Sequence, residues 1–215
     1  MSFKKSALWL ELRGRLHNHL ITLLEEHLNG SQTVLDLGCG AAPYVGECAG
    51  VEKVIGVDAC YESCRSAQTS SKYARVVQSV LPELPFRERS VDCVTMLQVV
   101  EHLPKETAST LIAGAERLAR RKIIITTPNG FVEQDGFDGN PFQKHLSGWT
   151  IADFEQRGYR VWGLEGLKIA RKKQKAEMLP PQRILSLITS FGIFESYIKS
   201  RPQSAFQLMA VKDLS

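Results

Sequence analysis

Between Thr33 and Gly40 the chain reads Thr-Val-Leu-Asp-Leu-Gly-Cys-Gly, an apolar run ending in two glycines one residue apart. This order dictates a buried strand leading at once into a tight turn. Glycine reaches left-handed backbone without a Cβ penalty and lets another molecule come close to the main chain. Eighteen positions after Gly40, Asp58 closes a second apolar run, Val54-Ile55-Gly56-Val57-Asp58. Strand, glycine turn, helix, strand and acid is the order in which an open α/β sheet builds a nucleoside site, with the carboxylate accepting hydrogen bonds from ribose hydroxyls.

The residues after the second glycine decide which ligand such a site can take. A dinucleotide turn wants Gly or Ala at the third position of its fingerprint, and Gly38-Cys39-Gly40-Ala41-Ala42-Pro43 has Pro43 there. Asp36, at the strand tip, puts a negative charge where a pyrophosphate would lie; that charge suits a ligand carrying an ammonium and a sulfonium. At these residues the segment resembles motif I of the class I S-adenosylmethionine-dependent methyltransferases, type 11-like, whose usual form is Asp-x-Gly-x-Gly after a hydrophobic pair.

The resemblance runs in order through residues 30 to 164. Val54 to Asp58 is similar to the second strand with its ribose-binding acid. Leu84-Pro85-Phe86, with Ser90-Val91-Asp92-Cys93-Val94 after it, resembles the approach to strand four, and Gln98-Val99-Val100-Glu101-His102-Leu103 the element beyond that strand. Ile123 to Asn129 looks like strand five and its exit. The resemblance implies a Rossmann-like, doubly wound, seven-stranded and mostly parallel sheet with an antiparallel last strand. It also implies S-adenosyl-L-methionine as cofactor.

The pattern of the remaining chain agrees with one α/β domain over residues 1–215. Trp9, Leu12, Leu16, Leu20 and Leu23 recur at helical spacing, predicting an amphipathic helix over 6–28 that stops at Asn29-Gly30. Strands are expected near 32–37, 54–58, 75–79, 91–97, 122–127, 159–164 and 205–211. Helices are expected near 43–49 and 61–70. A further helix is opened by Pro104, with an apolar face of Leu111, Ile112, Ala115, Leu118 and Ala119. Thr150-Ile151-Ala152-Asp153 reads as a helix start with its own cap, and Gly158 as that helix's end. Residues 165–203 are too many for a structureless connection. Within them Ile184, Leu187, Ile188, Phe191, Phe194 and Ile198 mark an amphipathic helix, which is open to three roles: a cap on the sheet edge, a substrate lid whose Phe191, Phe194 and Tyr197 line an apolar pocket, or a contact with a membrane surface.

Composition narrows the partners. Net charge is +4, with basic residues scattered except for Arg171-Lys172-Lys173-Gln174-Lys175, read first as a solvated helix face rather than a track for nucleic acid. The five cysteines are odd in number and form no Cys-x-x-Cys pair, which argues against a disulfide framework or a zinc knuckle. A reducing, cytoplasmic setting is the default. No apolar run reaches the ~18 residues of a membrane span.

The resemblance carries site residues with it. Asp36 is expected to orient the methionine amino group, directly or through water, while Gly38, Cys39 and Gly40 supply backbone contacts. Asp58 takes the ribose and Ala59 packs beside the adenine. The family's acid for the adenine amino group falls on Val80, flanked by Ser79 and Leu81, so backbone and packing are expected to hold the base. Leu97 and Gln98 should lie under the methionine portion. In two branches of the superfamily, ubiquinone-pathway O-methyltransferases and small-RNA 2′-O-methyltransferases, Glu-x-x-Glu-His after strand four helps hold a divalent metal. Here Gln98 replaces the first acid, while Glu101, His102 and a later His145 are present.

His102 and His145 are therefore candidate catalytic residues, with a metal set of Glu101, His102 and His145 as the alternative and a purely structural cap as the bland one. Phe142 and Trp149 are expected either to stack on an acceptor or to anchor the loop, and Asn129 to touch acceptor or backbone. The expected reaction is O-methylation of a small or lipophilic acceptor. The alternatives are an RNA 2′-O-methyltransferase and a non-catalytic S-adenosylmethionine-binding protein.

Overall fold

A computed structural model describes residues 20–136, 140–168 and 193–214. The sheet has seven strands: β1 (Ser31–Leu37), β2 (Val51–Asp58), β3 (Arg75–Gln78), β4 (Val91–Leu97), β5 (Ala119–Pro128), β6 (Arg160–Leu167) and β7 (Ala205–Asp213). Their spatial order is β3-β2-β1-β4-β5-β7-β6. The first five are mutually parallel, and β7 runs antiparallel between β5 and β6. The expected doubly wound sheet with an antiparallel last strand is thus present.

The central strands are apolar on both faces, as strands covered by helices must be. Every residue of β4 from Val91 to Met96 is buried. On one side Leu35, Leu37, Val94, Met96, Ile123 and Ile125 meet α3 (Lys105–Leu118) and α4 (Ile151–Glu155) through Leu111, Ile112, Ala115 and Phe154. On the other, Val34, Val54, Cys93 and Ile124 meet α1 (residues 20–28) through Leu23, Leu24 and Leu28, and α2 (Tyr61–Thr69) through Ala67. The alternation of Val34 and Leu35 between two cores reflects the two-residue period of a strand. Asp92 ties β4 to β1 by accepting from the N–H groups of Gln32 and Thr33, and from Arg120.

Several expectations need correction. No α-helix forms over 43–49; the segment makes only a 3-10 turn at Val45–Glu47, and Cys48 is already extended. Pro43, Gly46 and Gly50 give it poor helix propensity. A Cβ at Gly46 would also press on the Lys72 carbonyl, so the segment is held close to the next connection. Ala119 opens β5 rather than ending the helix face, and β5 runs to Pro128. β6 extends past 164 to Leu167 through an irregularity in its pairing with β7, where Glu165 and Gly166 both take positive φ. The Thr150–Asp153 capping box is formed, and Gly158 takes positive φ as a helix end requires.

The first part of the leading helix, 6–19, lies outside the described residues. So do Ile184, Leu187, Ile188 and Phe191 of the late amphipathic segment and the basic run 171–175. Its described end is α5 (Ile193–Ser200), packed on β6 with Ile198 buried. Tyr197 is exposed and stacks with Arg201 instead of lining a pocket. Among the described residues no helix is long and apolar enough to cross a membrane, and all five cysteines are free.

Candidate functional site

Sequence order reverses between β1 and β4, and it is outside the carboxyl ends of strands at such a point that open α/β sheets hold ligands. A cleft of about 550 Å³ opens there, within the range of small-molecule sites. Its walls come from the glycine turn, the tips of β2, β4 and β5, residues 132–134 and 140–145, and the β6–β7 edge. Among the described lining residues none is Lys or Arg, while Asp36, Asp58, Glu101 and Glu165 are acidic. The cleft is built for a cationic or neutral occupant.

One wall is formed by two carboxylates and the turn between them. Asp36 and Thr95 are paired across β1 and β4, which brings the Thr95 hydroxyl to Asp36 Oδ1 at 2.7 Å; the Tyr73 hydroxyl donates to Oδ2 at 2.8 Å. Burial pushes the Asp36 carboxyl up to about 6, opposed by these two hydrogen bonds and assisted by Asp58. Asp58 holds the turn itself. Its Oδ2 accepts from Gly40 N–H at 2.9 Å and its Oδ1 from Cys60 N–H at 2.8 Å. The N–H groups of Gly38 and Cys39 both donate to the Val57 carbonyl, so the turn is sewn to β2. The Cys39 thiol is buried beside these acids and pushed up by desolvation, which makes it packing rather than a nucleophile.

Opposite stands a cluster of Glu101, His102 and His145, whose ligand-capable atoms all lie within 4.8 Å of one another. Glu101 is 2% exposed; Thr127 donates its hydroxyl to Oε2 at 2.9 Å, and burial pushes the carboxyl up to about 8. The Glu101 carbonyl accepts from the N–H groups of Leu146 and Ser147, which clamps loop 140–149 onto the 3-10 turn Val100–His102. His145 Nδ1 lies 2.6 Å from the Val132 carbonyl and His102 Nδ1 3.2 Å from the Lys144 carbonyl. A carbonyl only accepts, so each neutral ring carries its proton on Nδ1 and its lone pair on Nε2. Burial lowers both imidazoles, and His145 lowers His102 further, so both are neutral near pH 7. Two neutral imidazoles, each oriented by a backbone carbonyl, and a buried carboxyl that a bound ion would deprotonate fit a divalent ion.

Most of the expected residues meet in this cleft: Asp36, Gly38, Cys39, Gly40, Asp58, Ala59, Val80, Leu81, Leu97, Gln98, His102 and His145 all line it. Ser79 does not; its hydroxyl donates to the Glu83 carbonyl. Phe142 lines the cleft, but Trp149 is fully buried and anchors the loop, its Nε1–H donating to the Val100 carbonyl and Ser147. Asn129 is a backbone brace, donating to the carbonyls of Pro202 and Ala205. Residues unforeseen in the sequence are Thr95 and Tyr73 under Asp36, and Glu165, Phe206 and Gln207 from the β6–β7 edge. Thr95 was within reach, since its register with Asp36 is set once β1 and β4 are neighbours; Glu165 depends on the strand irregularity, which leaves no pattern.

The sheet order and a cleft walled by Asp36, the glycine turn and Asp58 define an open α/β domain with its ligand cleft at the point where strand order reverses. Residues 35–125 match the family model described as a methyltransferase domain. A probable S-adenosylmethionine-dependent methyltransferase of Mycobacterium tuberculosis is 34% identical over 119 residues, covering 52% of this chain and 42% of that one. Another, from Mycolicibacterium smegmatis, is 32% identical over 146 residues, covering 63% and 54%. The chain thus spans about half the length of these relatives. In fold it is similar to a small RNA methyltransferase of known structure, with a TM-score of 0.59, 16% identity, and coverage of 91% of this chain and 25% of that one. In sequence the chain is thus similar, over the strands and connections of residues 35–125, to S-adenosylmethionine-dependent methyltransferases.

Proposed function

We propose that this chain transfers the methyl group of S-adenosylmethionine to an oxygen of a small, uncharged acceptor. The observation that carries this reading is the facing of two unlike walls across one cleft: the Asp36–glycine turn–Asp58 cradle, and the Glu101–His102–His145 cluster. In this reading Asp58 takes the ribose hydroxyls and Asp36 the methionine ammonium, while Ala59, Val80 and Leu81 sandwich the adenine. Leu97 and Gln98 carry the methionine portion towards the second wall.

Methyl transfer is an in-line displacement. The acceptor oxygen forms a bond to the methyl carbon as the carbon–sulfur bond breaks, and that electron pair returns to sulfur as a neutral thioether. The donor is already activated, so the protein's main contribution is alignment, worth up to ~7–11 kcal/mol in favourable cases. A hydroxyl acceptor must also lose its proton, and a neutral imidazole on the acceptor side is suited to take it. A divalent ion held by Glu101, His102 and His145 would supply Lewis-acid stabilisation of the acceptor oxygen instead. Both routes call for an oxygen acceptor. The absence of Lys and Arg among the described lining residues, beside four acids, supports a neutral acceptor over a phosphate-bearing one.

The test is a screen of neutral hydroxyl acceptors and RNA oligonucleotides with S-adenosylmethionine carrying a labelled methyl group. Label is expected on oxygen of a neutral acceptor. His102→Ala should abolish turnover while calorimetry still shows wild-type cofactor affinity. Label on nitrogen or carbon, or full turnover by His102→Ala, would overturn the assignment.

A further inference from the structure

Asp36 projects from the face of β1 that carries Val34, towards α1 and α2, because side chains alternate along a strand. In register beside it stand Gly56 on β2 and Thr95 on β4. A Cβ at Gly56 would meet Cys39 Sγ at 2.8 Å and the Tyr73 ring at 3.2 Å, so glycine leaves the room through which Tyr73 reaches the acid. Tyr73 comes from the connection between α2 and β3 and is 3% exposed. It donates its hydroxyl to Oδ2 at 2.8 Å, and Thr95 donates to Oδ1 at 2.7 Å. Burial and the Asp36 charge push the phenol up, so it stays a donor through the neutral range.

Asp92 shows how this fold compensates an acid that only joins strands. Besides the N–H groups of Gln32 and Thr33 it has a cation, Arg120 Nη1 at 2.9 Å; although burial opposes them, these partners hold its carboxyl below the ordinary range. Asp36 is more deeply buried, yet among the described residues it meets two neutral hydroxyls, no cation, and the like charge of Asp58. A buried carboxylate without a counter-charge is costly. A carboxylate has about four acceptor positions, of which the two hydroxyls take two. The others remain for an occupant of the cleft, which Asp36 lines and Tyr73 and Thr95 do not.

We infer that Tyr73 and Thr95 are positioning residues for the cofactor, holding Asp36 as an oriented anion whose counter-charge is the ligand's ammonium. The inference rests on the reading of the cleft as a S-adenosylmethionine site and deepens it. Burial raises the Asp36 carboxyl to about 6, and the two hydroxyls oppose that rise. The ammonium prefers the ionised form, so affinity is full above this range and falls as pH drops through it. The other titratable groups facing Asp36 are Asp58 from the tip of β2, Tyr73, and the thiols of Cys39 and Cys48. Burial pushes both thiols up, so they stay neutral with the phenol, and replacing Asp36 separates its titration from that of Asp58.

The test compares three probes by calorimetry on the full chain. S-adenosylmethionine is the first. S-adenosylhomocysteine keeps the ammonium but lacks the sulfonium charge, and methylthioadenosine keeps the nucleoside but lacks the ammonium. Tyr73→Phe should weaken the first two by about tenfold or more and methylthioadenosine by less than about twofold. It should also move the acid limb of S-adenosylmethionine binding, read between about pH 5 and 7.5, upwards by about half a pH unit, and Asp36→Asn should abolish that limb. Thr95→Val should behave as Tyr73→Phe does, while Thr95→Ser, which keeps a hydroxyl, should retain most of the affinity; this pair decides the matter if Tyr73→Phe fails to fold. Equal weakening of all three probes, or an acid limb unmoved by loss of either hydroxyl, would reduce Tyr73 and Thr95 to strand packing and overturn the inference. Wild-type binding of S-adenosylmethionine beside such a result would sink only the positioning role. Failure of the wild type to bind S-adenosylmethionine would sink the reading of the cleft itself.

Discussion

The two glycines of the cofactor turn should fail in different ways when a single methyl is added. Both take positive φ, 71° at Gly38 and 57° at Gly40, so alanine at either costs roughly 1–2 kcal/mol of backbone strain. At Gly40 the new Cβ meets nothing within 4 Å, because it points into the cleft. At Gly38 it lands on Cγ2 of Val99, a buried residue. Overpacking of that kind adds about 1–3 kcal/mol, so Gly38→Ala should cost about 2–5 kcal/mol in all. A domain of this size loses roughly 2–4 °C per kcal/mol. Thermal melts monitored by circular dichroism should therefore place Gly38→Ala about 4–20 °C below wild type and Gly40→Ala only about 2–8 °C below it. Calorimetry should show the reverse weighting for the ligand. Gly40→Ala should bind S-adenosylmethionine at least tenfold more weakly, since the methyl occupies space the cofactor needs. Val99→Ala in the Gly38→Ala background should recover part of the lost melting temperature by opening room for the Cβ. If the two single variants melt alike, or the second substitution gives no recovery, steric contact with Val99 is not what fixes glycine at 38.

The same geometry sets three further outcomes. Asp58→Asn replaces an acceptor by a donor against the N–H of Gly40 or Cys60, losing charged hydrogen bonds of about 1.5–3 kcal/mol. Cofactor affinity should fall by about tenfold to more than a hundredfold, and a change under about threefold would remove Asp58 from the site. Asp36 is raised by burial from 3.8 to about 6, so the folded chain holds this proton more tightly than the unfolded one. The stability it contributes is full below about 3.8 and is lost as pH rises through 6, on the order of 3 kcal/mol in total. Urea melts of wild type against Asp36→Asn between pH 4 and 7 should reveal that slope, and a difference independent of pH would refute it. Asp92→Ala, which strips acceptors from Thr33 N–H, Gln32 N–H and Arg120, should lower stability by about 2–3 kcal/mol in urea. An unchanged midpoint would show that Asp92 does not bind β1 to β4.

The convergence of the glycine-turn wall of the cleft was legible because its determinants are local. Asp36, Gly38, Gly40 and Asp58 sit at strand tips within a short stretch, and each depends on its own backbone conformation or on the strand it ends. The acceptor half is assembled from further apart. Glu101 and His102 read as a pair, but His145 reaches them only because the Glu101 carbonyl clamps Leu146 and Ser147 and because Val132 turns its ring. Trp149 looked available for stacking, yet its indole N–H needs a buried acceptor and finds the Val100 carbonyl. Glu165 enters the cleft from an irregularity in β6 whose cost is carried by pairing with β7. The short segment after Pro43, expected as a helix, departs for a related reason: close approach to Lys72, with Pro43 and Gly46 as poor helix formers, holds it as a 3-10 turn. These cases share a cause, since the determining contact joins segments that stand well apart along the chain and share no local pattern. It also explains why Gln98 matters. Taken alone it is an acid lost from a metal motif; in the fold its amide lies 3.2 Å from the Thr126 hydroxyl and 3.2 Å from the Gln207 side chain, so it joins the tips of β4, β5 and β7 at the floor of the cleft, a contact that spans 109 positions of sequence.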